Sequence, residues 1–133
     1  MPFRVSAAFF LALAGAISIS CGGITDPSQN QNEPFSGTVA PGSFSVVKFS
    51  ASKTGEITVK MGTITPAAVP ALSLQWLGAG DGSCNGGLFG ATVATSNTTA
   101  ISNQIVSGNY CLVLSEYVAQ TVTATYSLTV SHP

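Results

Sequence analysis

The sequence has very little charge. Charged residues make up 7% of its 133 residues, and the formal net charge is −1 at pH 7. The chain therefore lacks the basic surface that binds nucleic acid, and we predict no nucleic-acid partner. It also lacks the polar, highly charged composition of a disordered protein, because 45% of its residues are hydrophobic.

Side chains that carry catalysis are also scarce. The single histidine, His132, lies one residue from the carboxyl end, where chains commonly fray, so no Ser-His-Asp arrangement is expected. Of the five acids, Asp26 and Glu33 fall in a polar N-terminal segment, while Asp81 and Glu116 fall in predicted loops. The sequence also has no P-loop and no dinucleotide-binding glycine motif. We predict no catalytic residues, no cofactor and no enzyme activity, with a small hydrolase as the least favoured alternative.

The N-terminus has the layout of a secretory signal. Arg4 precedes an apolar run at residues 7–17, which small residues follow. This run is shorter than the about 20 residues that a membrane-spanning helix needs. We therefore predict that residues 1–20 form a cleaved signal peptide and that the protein is exported.

Two cleavage sites fit this signal. Ala-Gly-Ala at 14–16 allows cleavage after Ala16, which would give an ordinary secreted protein. Ser-Ile-Ser-Cys at 18–21 resembles the lipobox of bacterial lipoproteins, in which the cysteine becomes the lipid-modified N-terminus. This resemblance implies lipidation of Cys21 and a membrane anchor. Gly22, in place of aspartate, implies sorting to the outer membrane, again by resemblance.

The number of cysteines favours the lipoprotein interpretation. An unpaired thiol is uncommon in an oxidising compartment, and the chain has three cysteines. If Cys21 carries lipid, then Cys84 and Cys111 can form a disulfide. A zinc site is less favoured, because two cysteines and one distant histidine do not make a ligand set. Residues 21–34 are polar and bounded by proline, so we predict a lipidated cysteine followed by a flexible tether.

The remaining residues, 35–133, alternate between apolar and polar side chains with a period of two. The clearest runs lie at 56–61, 72–76, 110–115 and 122–130; residues 44–49 form a further strand whose inward face is ambiguous, and weaker candidates lie at 35–39, 89–94 and 100–106. Proline and glycine turns separate these runs. The pattern predicts an all-β domain, an antiparallel β-sandwich of seven to eight strands, with Trp76 in its core.

Several segments of this domain resemble the bacterial pre-peptidase C-terminal domain. They are TVAPGS at 38–43, VKFSA at 47–51, GEITV at 55–59, VSGNYCLVL at 106–114 and TYSLTV at 125–130. The resemblance extends over about residues 35–131. It implies a jelly-roll-like sandwich of the kind appended to exported proteases and other secreted proteins. Some members of that family bind calcium or polymeric substrates.

Few residues are candidates for ligand binding. Asp81 is a candidate calcium ligand, but calcium takes six to eight oxygens, so a plain glycine turn is the favoured interpretation and we predict no metal site. Phe89 and Tyr117 are candidate exposed aromatics. The leading hypothesis is a non-enzymatic, lipid-anchored envelope module that is structural or binds another envelope protein. The alternative is a module that binds a surface polysaccharide.

Overall fold

The structure is a computed structural model, and it describes residues 26–133. Within this range, no helix is long and apolar enough to cross a membrane. A 3-10 helix at Pro27–Gln29 precedes eight strands. These are β1 (Gln31–Val39), β2 (Phe44–Ala51), β3 (Gly55–Thr65), β4 (Ala71–Gly78), β5 (Leu88–Thr95), β6 (Thr99–Ile105), β7 (Gly108–Glu116) and β8 (Ala124–His132).

The eight strands form two four-stranded sheets that pack face to face. Sheet A has the order β1-β8-β3-β6, and sheet B has the order β2-β7-β4-β5. All neighbouring strands are antiparallel. This interleaved order is that of a jelly roll, in which consecutive strands repeatedly change sheets. The predicted all-β, antiparallel sandwich is confirmed.

Apolar side chains from the inner faces of both sheets fill the core. In β4, Leu72, Leu74 and Trp76 are buried, and they alternate with more accessible polar residues. This is the expected consequence of a period-two pattern on a sheet with one wet face. The prediction that Trp76 is a core residue is confirmed. Val122, however, is exposed, because the pairing of β1 with β8 starts only at Ala124.

The ordered domain starts earlier than the sequence predicts. Residues 31–34, expected in the tether, form the first part of β1 and pair with the last residues of β8. Pro34 is compatible with this position because β1 is an edge strand. Asp26 accepts a hydrogen bond from the backbone of Ser28 at 2.9 Å, and this bond lowers the pKa of the Asp26 carboxyl. The signal peptide and Cys21 lie outside the described residues.

The prediction that His132 lies in a frayed terminus is wrong. His132 is 1% exposed, because β8 stays paired with β1 up to this residue. Its Nε2 lies 3.1 Å from Oε1 of Glu33, which sequence analysis placed in the tether. Its ring also packs against Phe49, with 5.3 Å between the ring centroids. The histidine therefore joins β1 to β8 and to the core.

A test of this packing concerns Gly37 in β1. A Cβ atom there would lie 2.7 Å from Oη of Tyr126, which is buried and held by a 2.8 Å hydrogen bond to Ser45 Oγ. We expect Gly37→Ala to lower the free energy of unfolding by about 1–3 kcal/mol through overpacking. Denaturant titration measures this change.

Gly90→Ala is the matched control, since Gly90 also lies on an edge strand, β5. A Cβ atom there meets nothing within 4 Å. We expect its effect to stay within about 0.5 kcal/mol. Equal effects of the two substitutions would contradict the packing described for Tyr126.

Candidate functional site

A disulfide joins Cys84 to Cys111, as predicted, with the two Cα atoms 5.7 Å apart. Cys111 is fully buried although it points away from the core, on the outer face of sheet B. The bridge itself covers it there. The two cysteines are 27 residues apart in the sequence. Closing a loop of that length stabilises the fold by about 3.6 kcal/mol on the chain-entropy model. Such bonds persist in oxidising compartments, so the disulfide indicates an extracytoplasmic protein.

The disulfide fixes the cysteine loop, residues 79–87, against the end of sheet B. The loop is also held by backbone hydrogen bonds, from Ala79 N to Asn109 O at 2.9 Å and from Gly86 N to Gly78 O at 3.1 Å. A Cβ atom on Gly86 would lie 2.2 Å from the Gly78 carbonyl oxygen, so this close approach requires glycine. The glycine-rich sequence thus allows the loop to fold back onto β4.

The carboxylate of Asp81 is engaged within this loop. Oδ1 of Asp81 accepts hydrogen bonds from the hydroxyl and the backbone N–H of Ser83, the latter at 3.0 Å. These bonds, and to a lesser degree the charge of Lys48, hold the pKa of Asp81 below its usual value. Within residues 26–133, no cluster of three or more His, Cys, Asp or Glu side chains could hold a metal ion. The carboxylate of Asp81 thus serves as a hydrogen-bond acceptor within its own turn.

Glu116, which was predicted in a loop, is the last residue of β7 and lies far from Asp81. Lys48 lies beside Asp81, because its Nζ donates a hydrogen bond of 2.6 Å to Gly82 O in the cysteine loop. Lys48 also pairs across the sheet with Cys111 of β7. Glu116 is five residues further along β7, a distance of about 17 Å. A glycosidase needs its two carboxylates about 5–10 Å apart. The disulfide therefore does not bring these two acids together.

Phe89 lies on a β-bulge that sequence analysis could not detect. Trp76 pairs with Gly90 and Leu77 with Leu88, which leaves Phe89 as an extra residue in β5. Bulges commonly redirect a side chain at a sheet edge. The Phe89 ring packs 5.1 Å from that of Trp76 and remains 57% exposed.

Tyr110 completes the aromatic cluster behind Phe89. Its ring lies 5.8 Å from Phe89 and 5.9 Å from Trp76. The buried hydroxyl donates to Val106 O at 2.8 Å, and burial raises the pKa of Tyr110. These contacts give the exposed ring of Phe89 a rigid support.

A groove of about 200 Å³, the side groove, runs between the two sheets next to Phe89. Residues 89–92 of β5 and 100–103 of β6 line it, together with Trp76. The indole Nε1 of Trp76 is buried and has no hydrogen-bond partner among the described residues. Buried indole N–H groups usually have a hydrogen-bond partner, so the side groove is a candidate site for a ligand or a partner chain.

Tyr117 lies at the opposite end of the sandwich from Phe89. It is 55% exposed, and it follows Ser115, which pairs with Phe44. Phe44 is 68% exposed, although sequence analysis did not single it out. In β2, apolar residues occupy both odd-numbered and even-numbered positions, so alternation in the sequence does not reveal which face of the strand points inward. We group the exposed apolar residues of this end as the apolar end patch, which consists of Phe44, Val46, Tyr117, Val118 and Val122.

The outer face of sheet A differs from this patch. The outward side chains of its central strands are hydroxyl-bearing, such as Thr58, Thr129 and Ser131. Asn32 of β1 pairs with Ser131 and adds an amide beside them. Exposed apolar side chains of that size are absent from these positions. Contiguous apolar patches on a soluble protein commonly mark a binding surface. The two faces of the sandwich are therefore not equivalent.

Comparison with known proteins shows the fold. No protein-family model matches the chain, and no curated protein matches it. The pre-peptidase C-terminal domain of a collagenase from Bacillus anthracis is similar, with 17% identity, a TM-score of 0.54, and coverage of 74% of this chain and 88% of that one. The Yersinia pseudotuberculosis-derived mitogen is similar with 14% identity, a TM-score of 0.57, and coverage of 78% and 87%. The chain thus has a β-sandwich like that of pre-peptidase C-terminal domains.

Proposed function

We propose that this protein is a lipid-anchored β-sandwich of the bacterial cell envelope that acts without catalysis, as a structural or protein-interaction module. The observation that carries the proposal is the apolar end patch. Phe44 and Tyr117 are each more than half exposed there, and the carboxylate of the adjacent Glu116 accepts a 3.2 Å hydrogen bond from Gln120 N. Such a surface is suited to contact with another protein.

The disulfide supports lipidation of Cys21. Because Cys84 and Cys111 are bonded to each other, Cys21 is the remaining cysteine of an extracytoplasmic chain. Lipidation would leave no free thiol. By resemblance to sorted lipoproteins, Gly22 favours the outer membrane.

The position of the N-terminus supports a partner located away from the membrane. Cys21 is five residues before Asp26, so the connecting segment can span at most about 18 Å. β1 begins beside His132 and Phe49, at the end that carries the cysteine loop, and then runs about 30 Å to Val39. The apolar end patch begins shortly after that strand. An anchored domain would therefore hold the cysteine loop near the lipid and present the patch to the envelope space.

The geometry of the polar residues supports a role without catalysis. His132 is buried against Glu33 and is not accessible to a substrate. Asp81 in the cysteine loop and Glu116 at the end of β7 are too far apart for paired acid–base chemistry. These two observations are why we rank a hydrolase below a binding role.

Binding of a surface polysaccharide is the second candidate, and the side groove favours it. Sugar rings stack on exposed aromatic faces, and Phe89 offers one at the groove. The other ring of the groove, Trp76, is 4% exposed. One exposed ring gives a smaller platform than the apolar end patch, so protein binding remains the leading proposal.

The anchor is tested by Cys21→Ser. We expect the natural protein to enter the detergent phase of a Triton X-114 extraction and to take up labelled fatty acid, because acyl chains add about 0.8 kcal/mol of membrane affinity per buried methylene. The variant should enter the aqueous phase and take up no label. Cys84→Ser is the control for loss of a cysteine, and it should remain in the detergent phase. A natural protein found in the aqueous phase would refute the anchor.

The patch is tested by photocrosslinking in the living cell. We expect a photoreactive amino acid at position 44 to give a discrete adduct with another envelope protein. The same amino acid at position 58, on the outer face of sheet A, should give none. Tyr117→Asp should abolish the adduct, since a charge in an apolar contact loses hydration without gaining a partner. Adducts of equal yield at both positions would contradict the proposed docking surface.

A further inference from the structure

Charge is unevenly distributed between the two open sides of the sandwich. On one side lie the edge strands β1 and β2, which carry Glu33, Pro34 and Lys48. On the other side lie the edge strands β5 and β6. The sequence has no charged residue and no proline between positions 82 and 115, a range that includes both of these strands.

Unprotected strand edges are unusual in a monomeric protein. An edge strand presents unpaired N–H and C=O groups, and charges or prolines normally prevent it from pairing with another chain. The bulge at Phe89 disturbs only the start of β5, and residues 90–95 continue in regular register with β4. The outward side chain of Val93 is 43% exposed on this edge. The edge of β5 thus has the properties of a pairing surface.

We propose that a second copy of this chain docks on the β5–β6 side, edge to edge and related by a two-fold axis. Antiparallel pairing of β5 with its counterpart would extend sheet B across both copies, and β6 would meet its counterpart in sheet A. A two-fold contact brings each residue near the same residue of the other copy. Like charges would then face each other and repel, so such a contact favours a surface without charge. Of the two open sides, only the β5–β6 side is free of charge on both of its edge strands.

The size of the side predicts a weak association. Eight residues of β5 give a contact about 27 Å long, and the two sheets lie about 10 Å apart, so the flat footprint is on the order of 500 Å² including side chains. Stable dimers commonly bury about 800 Å² per partner. We therefore expect a dimer that forms with rising concentration. The side groove, with Trp76 and Phe89, would be closed within it.

The first experiment measures self-association by sedimentation equilibrium from micromolar to millimolar concentration. It uses the exported protein with Cys21→Ser, so that neither lipid nor a free thiol can link two copies. The test variant is Ala91→Lys with Val93→Lys. The matched control is Val46→Lys with Phe44→Lys, because these residues occupy the same two rows at the opposite edge of sheet B.

We expect a monomer–dimer equilibrium whose dissociation constant rises at least about tenfold in the β5 variant and stays unchanged in the β2 variant. A chain that remains monomeric at all concentrations would overturn the proposal, as would equal weakening by both variants. Tyr117→Asp alters the apolar end patch away from β5, so it should lose the crosslinked adduct of position 44 while it keeps the dimer. The two proposals can therefore fail separately.

The second experiment needs no substitution on β5, in case the lysine variant does not fold. Amide hydrogen exchange in residues 88–95 should slow as the protein concentration rises, while exchange in residues 44–51 should not change. Exchange that is independent of concentration in both segments would overturn the dimer. Protection of 88–95 that appears only with an added soluble oligosaccharide would also overturn it, and would assign the side groove to a sugar.

Discussion

Burial of apolar side chains between the two sheets is the constraint on which the rest of the structure depends. One face of each strand contributes to this layer, from Val39 in β1 to Val130 in β8. The apolar residues of the inner faces fill the core, and large apolar side chains that stay outside it indicate a contact surface where they cluster or lie on an open strand edge. Phe44 and Val93 are such side chains, at opposite edges of sheet B. The binding surfaces proposed above are what the core leaves uncovered.

The cysteine loop shows how a segment without a core of its own becomes ordered. Its residues are small and polar and bury little surface, so burial alone cannot hold it. The Cys84–Cys111 bond attaches it to β7, and Lys48 contacts it from β2. The loop, the histidine pair of His132 with Glu33, and the start of β1 all lie at the same end. This end combines the polar contacts of the loop with the exposed apolar side chains of Leu88, Phe89 and Val106, while the opposite end carries the apolar end patch.

Most of the fold could be predicted from the sequence, because strict alternation in segments such as 72–76 and 124–130 defines strands and their inner faces. The disulfide could also be predicted, from the odd number of cysteines together with the lipobox resemblance that assigns Cys21 to lipid. Alternation did not reveal the start of β1, since Gln31 and Asn32 look like a tether and form a strand only because β8 pairs with them. The same tertiary pairing buries His132. The bulge at Phe89 and the outward position of Phe44 depend on register, which a single strand does not specify.

In the proposed function, the three cysteines have two roles, one lipid attachment at Cys21 and one disulfide that braces the sandwich. The intact mass of the mature protein, taken before and after reduction, tests both roles together. We expect the mass of a chain that starts at Cys21 and carries its acyl groups, and we expect this mass to increase by two hydrogens on reduction. An unacylated chain that starts at Ile17, with a mass that reduction does not change, would contradict both roles.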